Sequence, residues 1–156
     1  MLQKTTRKTV ISGDARIAIV ASAYNAEYVD GMLDAALAVL SESGVDEVEV
    51  IRVSGAFEVP VVAAKLARRK RKRLGAVICL GVILRGQTTH SEHIGQNVSR
   101  LLGDLAMETG VPIIHEVLLL ENKAQARARC LSAKTNRGAE AAHTALVMAE
   151  VMRELR

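Results

Sequence analysis

The turn RGQTTH runs from Arg85 to His90 and joins residue types that could bind an anion and move a proton. Gly86 allows a tight turn, while Thr88 and Thr89 bring hydroxyl groups. Free main-chain N–H groups at the start of a helix bind anions such as phosphate. An imidazole titrates near neutral pH and therefore serves as a general acid or base. The turn predicts a phosphate site served by His90; the alternative is a simple threonine N-cap beside an exposed histidine.

The segment before this turn predicts a buried strand. Residues 76–84 are almost continuously apolar, as expected of a strand covered on both faces of a parallel sheet. Gly81 interrupts the segment, and a glycine inside a buried strand often marks a place where another group approaches the main chain. A helix is expected to follow, with Gly110 as its stop.

Apolar strand-like segments alternate with helical ones along the whole chain. The predicted strands are residues 16–21, 47–53, 76–84 and 113–120, and the predicted helices are residues 26–43, 57–69, 90–108, 122–131 and 139–154. This order predicts an α/β fold in which a four-stranded parallel sheet lies between two layers of helices. Ligands of such sheets bind beyond the carboxyl ends of the strands, so the turns that follow the strands should converge there.

Two further turns carry residues suited to a flat, polar ligand. Tyr24 and Asn25 follow the first strand, where a tyrosine ring could stack on a heterocycle. The alternative is an asparagine N-cap beside a packing tyrosine. Glu58 follows the second strand, where it either accepts hydrogen bonds from a polyol chain or only favours the helix N-terminus.

Three arginines are candidate partners of a phosphate. Arg129 and Arg137 lie eight residues apart in the last part of the chain, and Arg85 lies in the turn described above. Taken singly each is an ordinary surface arginine, but together their guanidinium groups could bind a phosphate.

Histidine and cysteine spacing does not predict a metal site. His90 and His93 lie at i and i+3, but no carboxylate or cysteine is placed to complete a ligand set, and His93 is expected to be solvated. Cys79 lies in the buried strand and Cys130 in a distant helix, a spacing typical of neither a disulfide framework nor a metal site. We therefore expect no metal and a reducing compartment.

Composition favours one domain of the α/β class. The chain has 156 residues, of which 49% are hydrophobic and 2% aromatic, so its core must consist of Val, Ile, Leu and Ala. No segment has the roughly 18 apolar residues that a membrane helix needs, and the polar start MLQKTTRKT is unlike a signal peptide. We expect a single cytoplasmic domain over residues 1–156 and no membrane partner.

The net charge of +4 depends on one basic segment, RRKRKR at residues 68–73. Outside it, 15 basic residues stand against 17 acidic ones. Such a segment either binds nucleic acid or forms the solvated end of a helix, where cations favour the helix dipole. Because it follows an apolar helical segment and lacks interleaved aromatic residues, the second interpretation is favoured and no nucleic-acid partner is expected.

Five segments, in order and at compatible spacing, resemble the lumazine synthase (6,7-dimethyl-8-ribityllumazine synthase) family. They are ASAYNAE at 21–27, VSGAFEVP at 53–60, LGVILRGQTTH at 80–90, GVPIIHEVL at 110–118 and NRGAEAA at 136–142. The resemblance covers residues 16–155 and implies a flavodoxin-like, three-layer αβα sandwich. It also implies a transferase of riboflavin biosynthesis that joins 5-amino-6-(ribitylamino)uracil to 3,4-dihydroxy-2-butanone 4-phosphate without a cofactor.

The resemblance assigns roles to individual positions. The implied catalytic residues are His90 and Arg129, and the implied substrate-binding residues are Tyr24, Asn25, Gly55, Ala56, Phe57, Glu58, Gly81, Val82, Ile83, Gly86, Gln87, Thr88, His115, Arg129 and Arg137. The pyrimidine would stack on Tyr24, the ribityl chain would lie on residues 56–58, and the phosphate on residues 86–88. His90 would transfer protons, and Arg129 would reach the phosphate from a neighbouring subunit.

Some positions depart from the family pattern. Ser91 stands where an aromatic residue is usual, His115 where a phenylalanine lines the pocket, and Arg137 where lysine is usual. Leu119 and Leu120 replace a threonine pair, and Leu131 replaces a glycine near Arg129. These changes predict an active enzyme with weakened substrate affinity. The alternative is a catalytically weakened paralogue that acts as a lumazine- or flavin-binding or shell-forming scaffold.

The resemblance also implies an assembly. Members of the family form pentamers with active sites between subunits, and many close twelve pentamers into an icosahedral shell. The short turn SAKTNRG favours the shell. Residues 1–15 would form an arm ordered by a neighbouring subunit, in which residues 8–14 add a strand to the neighbour's sheet. A riboflavin synthase is an implied partner.

Overall fold

The computed structural model describes residues 15–156, which contain one four-stranded sheet and the helices that cover it. The elements in chain order are β1 (Ile17–Ser22), α1 (Ala26–Glu42), β2 (Val48–Val53), a 3₁₀ turn (Ala56–Glu58), α2 (Val59–Ala67), β3 (Ala76–Leu84), α3 (His90–Thr109), β4 (Ile113–Leu120), α4 (Lys123–Cys130) and α5 (Arg137–Glu154). The predicted order of strands and helices is confirmed. The predicted N-terminal arm and its strand at residues 8–14 lie outside the described residues.

All strand pairs are parallel, in the order β2-β1-β3-β4. The register pairs Ile17 with both Val48 and Ala76, and Val77 with Ile113. The order reverses between β1 and β3, because the chain moves from β1 to one side and from β3 to the other. This arrangement is the flavodoxin-like sheet, and it confirms the expected fold class.

Two apolar clusters on opposite faces of the sheet make the three layers. Alternate residues of β3 point to opposite faces, so Ile78 and Leu80 join the cluster formed with α1, α4 and α5. Val77 and Cys79 join the cluster formed with α2 and α3. Because both faces of the sheet are covered, β3 is apolar throughout, whereas the edge strand β2 is partly exposed.

One helix begins later than its sequence pattern predicts. The predicted helix at 57–69 starts as a 3₁₀ turn, closed by a hydrogen bond from Glu58 N to Gly55 O at 3.2 Å, and α2 itself spans Val59–Ala67. Pro60 lies in the first turn of α2, where the missing N–H costs nothing. The tighter turn leaves Phe57 exposed at the carboxyl edge of the sheet.

The α1 and α5 helices pack through close main-chain contact. A Cβ atom placed on Gly138 would lie 2.0 Å from the main-chain oxygen of Met32, and one on Gly31 would lie 2.6 Å from that of Cys130. Asn136 caps α5 and also donates hydrogen bonds to the carbonyls of Gly31 and Cys130. The junction therefore fixes the start of α5 against α1 and the end of α4.

The basic segment at residues 68–73 follows α2 and precedes β3, at the amino edge of the sheet. Arg68 bonds both carboxylate oxygens of Glu108 at 3.1 Å, and Arg69 bonds those of Glu49 at 2.6 and 2.9 Å. The segment thus begins at the C-cap residue of α2, and part of it pairs with acidic residues of α3 and β2. None of the helices within residues 15–156 combines the length and the apolar composition that a membrane span requires.

Candidate functional site

A cavity of about 800 Å³ opens at the carboxyl edge of the sheet, beyond the ends of the neighbouring strands β1 and β3. In flavodoxin-like sheets this reversal of strand order leaves a crevice suited to ligands. Most of the expected site residues line it, namely Tyr24, Asn25, Gly55, Ala56, Phe57, Glu58, Val82, Ile83, Gly86, Thr88 and His90. Three of the four turns predicted to converge therefore line this cavity, whereas no residue of the turn that follows β4 does.

The first turn is held by main-chain hydrogen bonds and by Asn25. The nitrogens of Ala23 and Tyr24 donate to the carbonyls of Val53 and Ser54, at 2.7 and 3.0 Å. Asn25 occupies the N-cap position of α1 in a left-handed conformation, but its side chain makes no capping bond. Its amide instead donates to Val82 O at 2.8 Å, which ties the end of β1 to β3.

These bonds hold the main chain of Tyr24 in place and leave the face of its ring exposed. The Tyr24 side chain is 73% exposed, while the neighbouring turn holds its main chain. Phe57, on the second turn, is 58% exposed and lines the same cavity, together with the exposed Glu58. Two exposed aromatic rings beside a carboxylate form a surface that suits a flat heterocycle carrying hydroxyl groups.

The third turn leads directly into α3. Thr89 is the N-cap residue but makes no side-chain capping bond, whereas Thr88 Oγ1 lies 3.4 Å from the nitrogen of His90. The main-chain N–H groups of the first turn of α3 face this loop because helix geometry leaves them without intrahelical partners. His90 is exposed and lines the cavity beside Gly86 and Thr88.

Arg85, a candidate partner of a phosphate, does not line the cavity. Its guanidinium group forms an ion pair with Glu92 and another with Glu121 at 3.5 Å, and it is not among the residues that line the cavity. The suggestion that Arg85 contributes to a phosphate site is therefore not supported by its position.

Five cavity residues were not predicted: Leu84, Ser91, His93, Ile94 and Asn97. Four of them lie on α3, and His93, Ile94 and Asn97 follow His90 at spacings of three, four and seven residues. This is the period of one helix face, so extending the pattern from His90 would have found them. The expectation that His93 is merely solvated was incomplete, because the exposed ring lies in the cavity wall.

Ser91 stands at one of the positions that depart from the family pattern. The residue is 7% exposed, and its hydroxyl oxygen has no hydrogen-bond partner within the described residues. A buried hydroxyl without a partner costs free energy. Ser91 thus places an unpaired hydroxyl in the lining of the cavity, where an apolar side chain would not carry this cost.

Two expected residues of the third strand and turn do not line the cavity. Gly81 is buried, and a Cβ atom there would lie 3.1 Å from Val117 and 3.3 Å from the hydroxyl of Ser22. The prediction that another group approaches Gly81 is confirmed, and that group belongs to the protein core. Gln87 is exposed in the turn between Gly86 and Thr88.

His115 lies on β4, away from the cavity of its own chain. Its Nδ1 accepts a hydrogen bond from Val117 N at 3.1 Å, which places the proton of the neutral ring on Nε2. That nitrogen lies 2.7 Å from the hydroxyl of Ser99 on α3. Partial burial lowers the pKa of His115, so the ring remains neutral in these contacts.

Arg129 and Arg137 also lie outside this cavity within one chain. Arg129 is exposed near the end of α4. Arg137 begins α5 and bonds both oxygens of Glu116 at 3.1 Å and Glu140 at 2.7 Å. Glu116 is 6% exposed; burial raises its pKa, and the hydrogen bonds from Arg137 oppose that rise. Sequence reasoning missed this buried ion pair.

The cysteines do not contribute to the site. Both are fully buried, and burial raises the pKa of Cys79 to about 12 and that of Cys130 to about 11, the latter also through the charge of Glu116. Such thiols are poor nucleophiles and poor metal ligands. Residues 15–156 contain no group of three or more histidine, cysteine or acidic side chains placed to hold a metal ion.

The fold and the cavity define a flavodoxin-like α/β protein whose cavity, at the carboxyl edge of the sheet, is lined by aromatic rings, a carboxylate and imidazoles. Residues 14–153 match the sequence model of a family described as 6,7-dimethyl-8-ribityllumazine synthase. The chain belongs to this family, as the five sequence segments indicated.

Relatives that carry the same name support the assignment over most of the chain. The protein of Pseudarthrobacter chlorophenolicus is 38% identical over 152 residues, which are 96% of this chain and 92% of the relative. That of Kineococcus radiotolerans is 44% identical over 133 residues, 84% and 81% of the two chains. That of Pyrococcus furiosus is 37% identical over 140 residues, 90% and 87%.

Proposed function

We propose that the chain is a cofactor-independent transferase that makes 6,7-dimethyl-8-ribityllumazine in riboflavin biosynthesis. It condenses 5-amino-6-(ribitylamino)uracil with 3,4-dihydroxy-2-butanone 4-phosphate and releases phosphate and water. Family membership supports this proposal. The observation that carries it is the meeting of Tyr24, Glu58 and His90 in one cavity, because the reaction needs a ring surface, a polyol partner and a proton carrier together.

The pyrimidine binds between the first and third turns in this proposal. Its ring stacks on the exposed face of Tyr24, and Val82 and Ile83 at the end of β3 face its edge. The ribityl chain follows the second turn, where Glu58 accepts hydroxyl hydrogen bonds. The cross-link from Asn25 to Val82 O keeps the two walls at a constant separation, so the ring meets a preformed slot.

The phosphate of the second substrate binds at residues 86–88, where main-chain N–H groups at the start of α3 are available. This places the butanone carbons between the phosphate turn and the pyrimidine, beside His90. The amine of the pyrimidine attacks the ketone, and loss of water gives an imine. A base then removes a carbon-bound proton, the C–O bond to phosphate breaks, and phosphate leaves with the electron pair. The second amine closes the ring with loss of water.

Each of these steps combines proton transfer with positioning of the substrates, and none of them needs a redox group. His90 takes the proton from the attacking amine and returns it to the departing oxygen. Proton transfer by a positioned side chain contributes about a hundredfold to ten-thousandfold in rate. Holding both substrates in one cavity contributes further by removing the cost of bringing them together.

We further propose that the site is completed by a neighbouring subunit of a pentamer in the cytoplasm. This would bring Arg129 to the phosphate, as the family resemblance implies, and would place His115 and Arg137 near the cavity. The high exposure of Tyr24 and Phe57 within one chain supports a covering partner. An icosahedral shell of pentamers and association with a riboflavin synthase are part of the same proposal, and light scattering would distinguish pentamer from shell.

An assay of lumazine formation tests the proposal. The purified full chain, given both substrates, should form the lumazine chromophore faster than the uncatalysed reaction. The His90→Asn variant should slow formation by about a hundredfold or more while it still binds the pyrimidine. His143→Asn is the matched control, because His143 is exposed on α5 and does not line the cavity. A wild-type rate no greater than the uncatalysed rate would refute the proposal.

A further inference from the structure

The cavity lacks the cations that usually accompany a phosphate site. Among its sixteen lining residues there is no lysine or arginine, and the one carboxylate, that of Glu58, is negative. The only lining side chains that can carry positive charge are the imidazoles of His90 and His93. Within one chain, a phosphate group bound here would therefore depend on main-chain N–H groups and on these two rings, to which the proposed pentamer adds the Arg129 of a neighbouring subunit.

The arginine that directly precedes the turn at residues 86–88 already forms ion pairs with carboxylates. Arg85 pairs with Glu92 and Glu121, so its charge is balanced outside the cavity. The same is true of Arg137, which pairs with Glu116 and Glu140. Within residues 15–156, neither guanidinium group is available to this cavity without breaking an ion pair.

His93 is placed against the turn proposed to hold the phosphate. It lies one helical turn after His90 on the same side of α3, and its Nε2 is 3.4 Å from the hydroxyl of Thr89. Its main-chain oxygen accepts a hydrogen bond from the amide of Asn97 at 2.9 Å. The ring is exposed, and no carboxylate of the described residues forms an ion pair with it. The imidazole is therefore free to meet an anion at residues 86–88.

We propose that His93 is a phosphate-binding residue of this site. Its imidazole donates a hydrogen bond, and when protonated a positive charge, to a phosphate oxygen held by the main chain of residues 86–88. His90 is thereby left for proton transfer. The inference rests on the proposed function, which places the phosphate of the butanone substrate at that turn.

Steady-state kinetics of the full chain tests the assignment. The His93→Gln variant should raise KM for the phosphate-bearing substrate, and the inhibition constant of inorganic phosphate, by about tenfold or more, the value of one hydrogen bond to a charged group. KM for the pyrimidine should change by less than about twofold. His93→Arg, which keeps a positive donor, should recover most of the loss. His143→Gln is the matched control and should leave every constant unchanged.

Direct titration separates this inference from the proposed function. Inorganic phosphate is added to wild type and to His93→Gln without other substrates, and binding is followed by ³¹P NMR. If wild type binds phosphate but forms no lumazine, the proposed function fails, and weaker binding by His93→Gln still supports the role of His93. If His93→Gln binds inorganic phosphate and the phosphate-bearing substrate as wild type does, the assignment of His93 is overturned.

Discussion

Replacing Asn136 by alanine should destabilise the protein far more than removing an ordinary helix cap. The side chain is 7% exposed and makes four hydrogen bonds. Its oxygen accepts from the nitrogens of Gly138 and Ala139 at 2.8 and 3.3 Å, which caps α5. Its amide donates to the carbonyls of Cys130 and Gly31 at 2.7 and 3.2 Å, which joins α5 to α4 and α1.

The magnitude follows from these two functions. Loss of an N-cap costs about 1 kcal/mol, and the buried Cys130 carbonyl left without this donor costs about 1 to 2 kcal/mol more. The carbonyl of Gly31 lies inside α1 and keeps its intrahelical donor, so loss of the bond to it costs about 0.5 to 1.5 kcal/mol. Asn136→Ala should therefore lower the free energy of unfolding by about 2.5 to 4.5 kcal/mol. Since whole domains are stable by only about 5 to 15 kcal/mol, the variant should be close to the limit of folding.

Urea unfolding followed by far-UV circular dichroism measures the difference. All variants are compared at one protein concentration, because the stability of an oligomer depends on it. Asn122→Ala is the matched control: Asn122 caps α4 with one bond, from Gln125 N at 2.9 Å, and is exposed. It should cost about 1 kcal/mol.

If Asn136→Ala and Asn122→Ala lowered the free energy of unfolding equally, this reasoning would be refuted. Equal here means within about 0.5 kcal/mol, the level to which free-energy changes at independent sites are additive. Asn136 would then act only as a cap, and the contact between α1, α4 and α5 would depend on apolar packing alone.

Three further predictions concern packing, reactivity and pH. Gly138→Ala should unfold or severely destabilise the protein, because the added Cβ would lie 2.0 Å from the main-chain oxygen of Met32. In Gly103→Ala the added Cβ meets nothing within 4 Å, so this variant should stabilise α3 by about 0.5 to 1 kcal/mol. Urea unfolding measures both effects. With pKa values of about 12 and 11, Cys79 and Cys130 should resist iodoacetamide at pH 8 until urea is added. Burial raises the pKa of Glu116, so the folded state holds its proton more tightly than the unfolded state. That contribution to stability is present at low pH and lost as pH rises, so wild type should lose stability relative to Glu116→Gln as pH rises above about 4.5, the ordinary pKa of a glutamate carboxyl.

The sequence predicts the sheet well because its signal is local. Residues 76–84 are apolar throughout, and a strand buried on both faces needs nothing else. Once the strands are placed, the convergence of Tyr24, Glu58 and His90 follows from the geometry of parallel sheets. Fold class and the main walls of the cavity could therefore be derived before any coordinates.

Long-range polar contacts could not be derived in this way. Asn25 has the sequence context of an N-cap, yet its side chain makes no capping bond and its amide instead donates to Val82 O, 57 residues away near the end of β3. Glu116 interrupts an apolar strand, and only the packing of α5 on β4 reveals Arg137 as its partner. Both contacts are set by tertiary geometry, which no local pattern encodes.

His93 is a different case, since helical spacing from His90 places it on the cavity side of α3. Its exposure was expected correctly, but exposure to solvent and exposure to a ligand site look alike in a sequence. The start of α2 is also not resolved by the sequence pattern, because the single 3₁₀ turn at Ala56–Glu58 is too short for its period to be distinguished from that of a first α-helical turn.

The central claim is that one cavity beyond the carboxyl ends of β1 and β3 holds both substrates beside one proton-transfer group. A crystal structure of the full chain with 5-amino-6-(ribitylamino)uracil and inorganic phosphate tests it most directly. The account predicts the pyrimidine against Tyr24, the ribityl chain at Glu58, and phosphate at residues 86–88 with His90 between the two ligands. Ligands bound at another edge of the sheet, or a pyrimidine remote from both Tyr24 and His90, would contradict it.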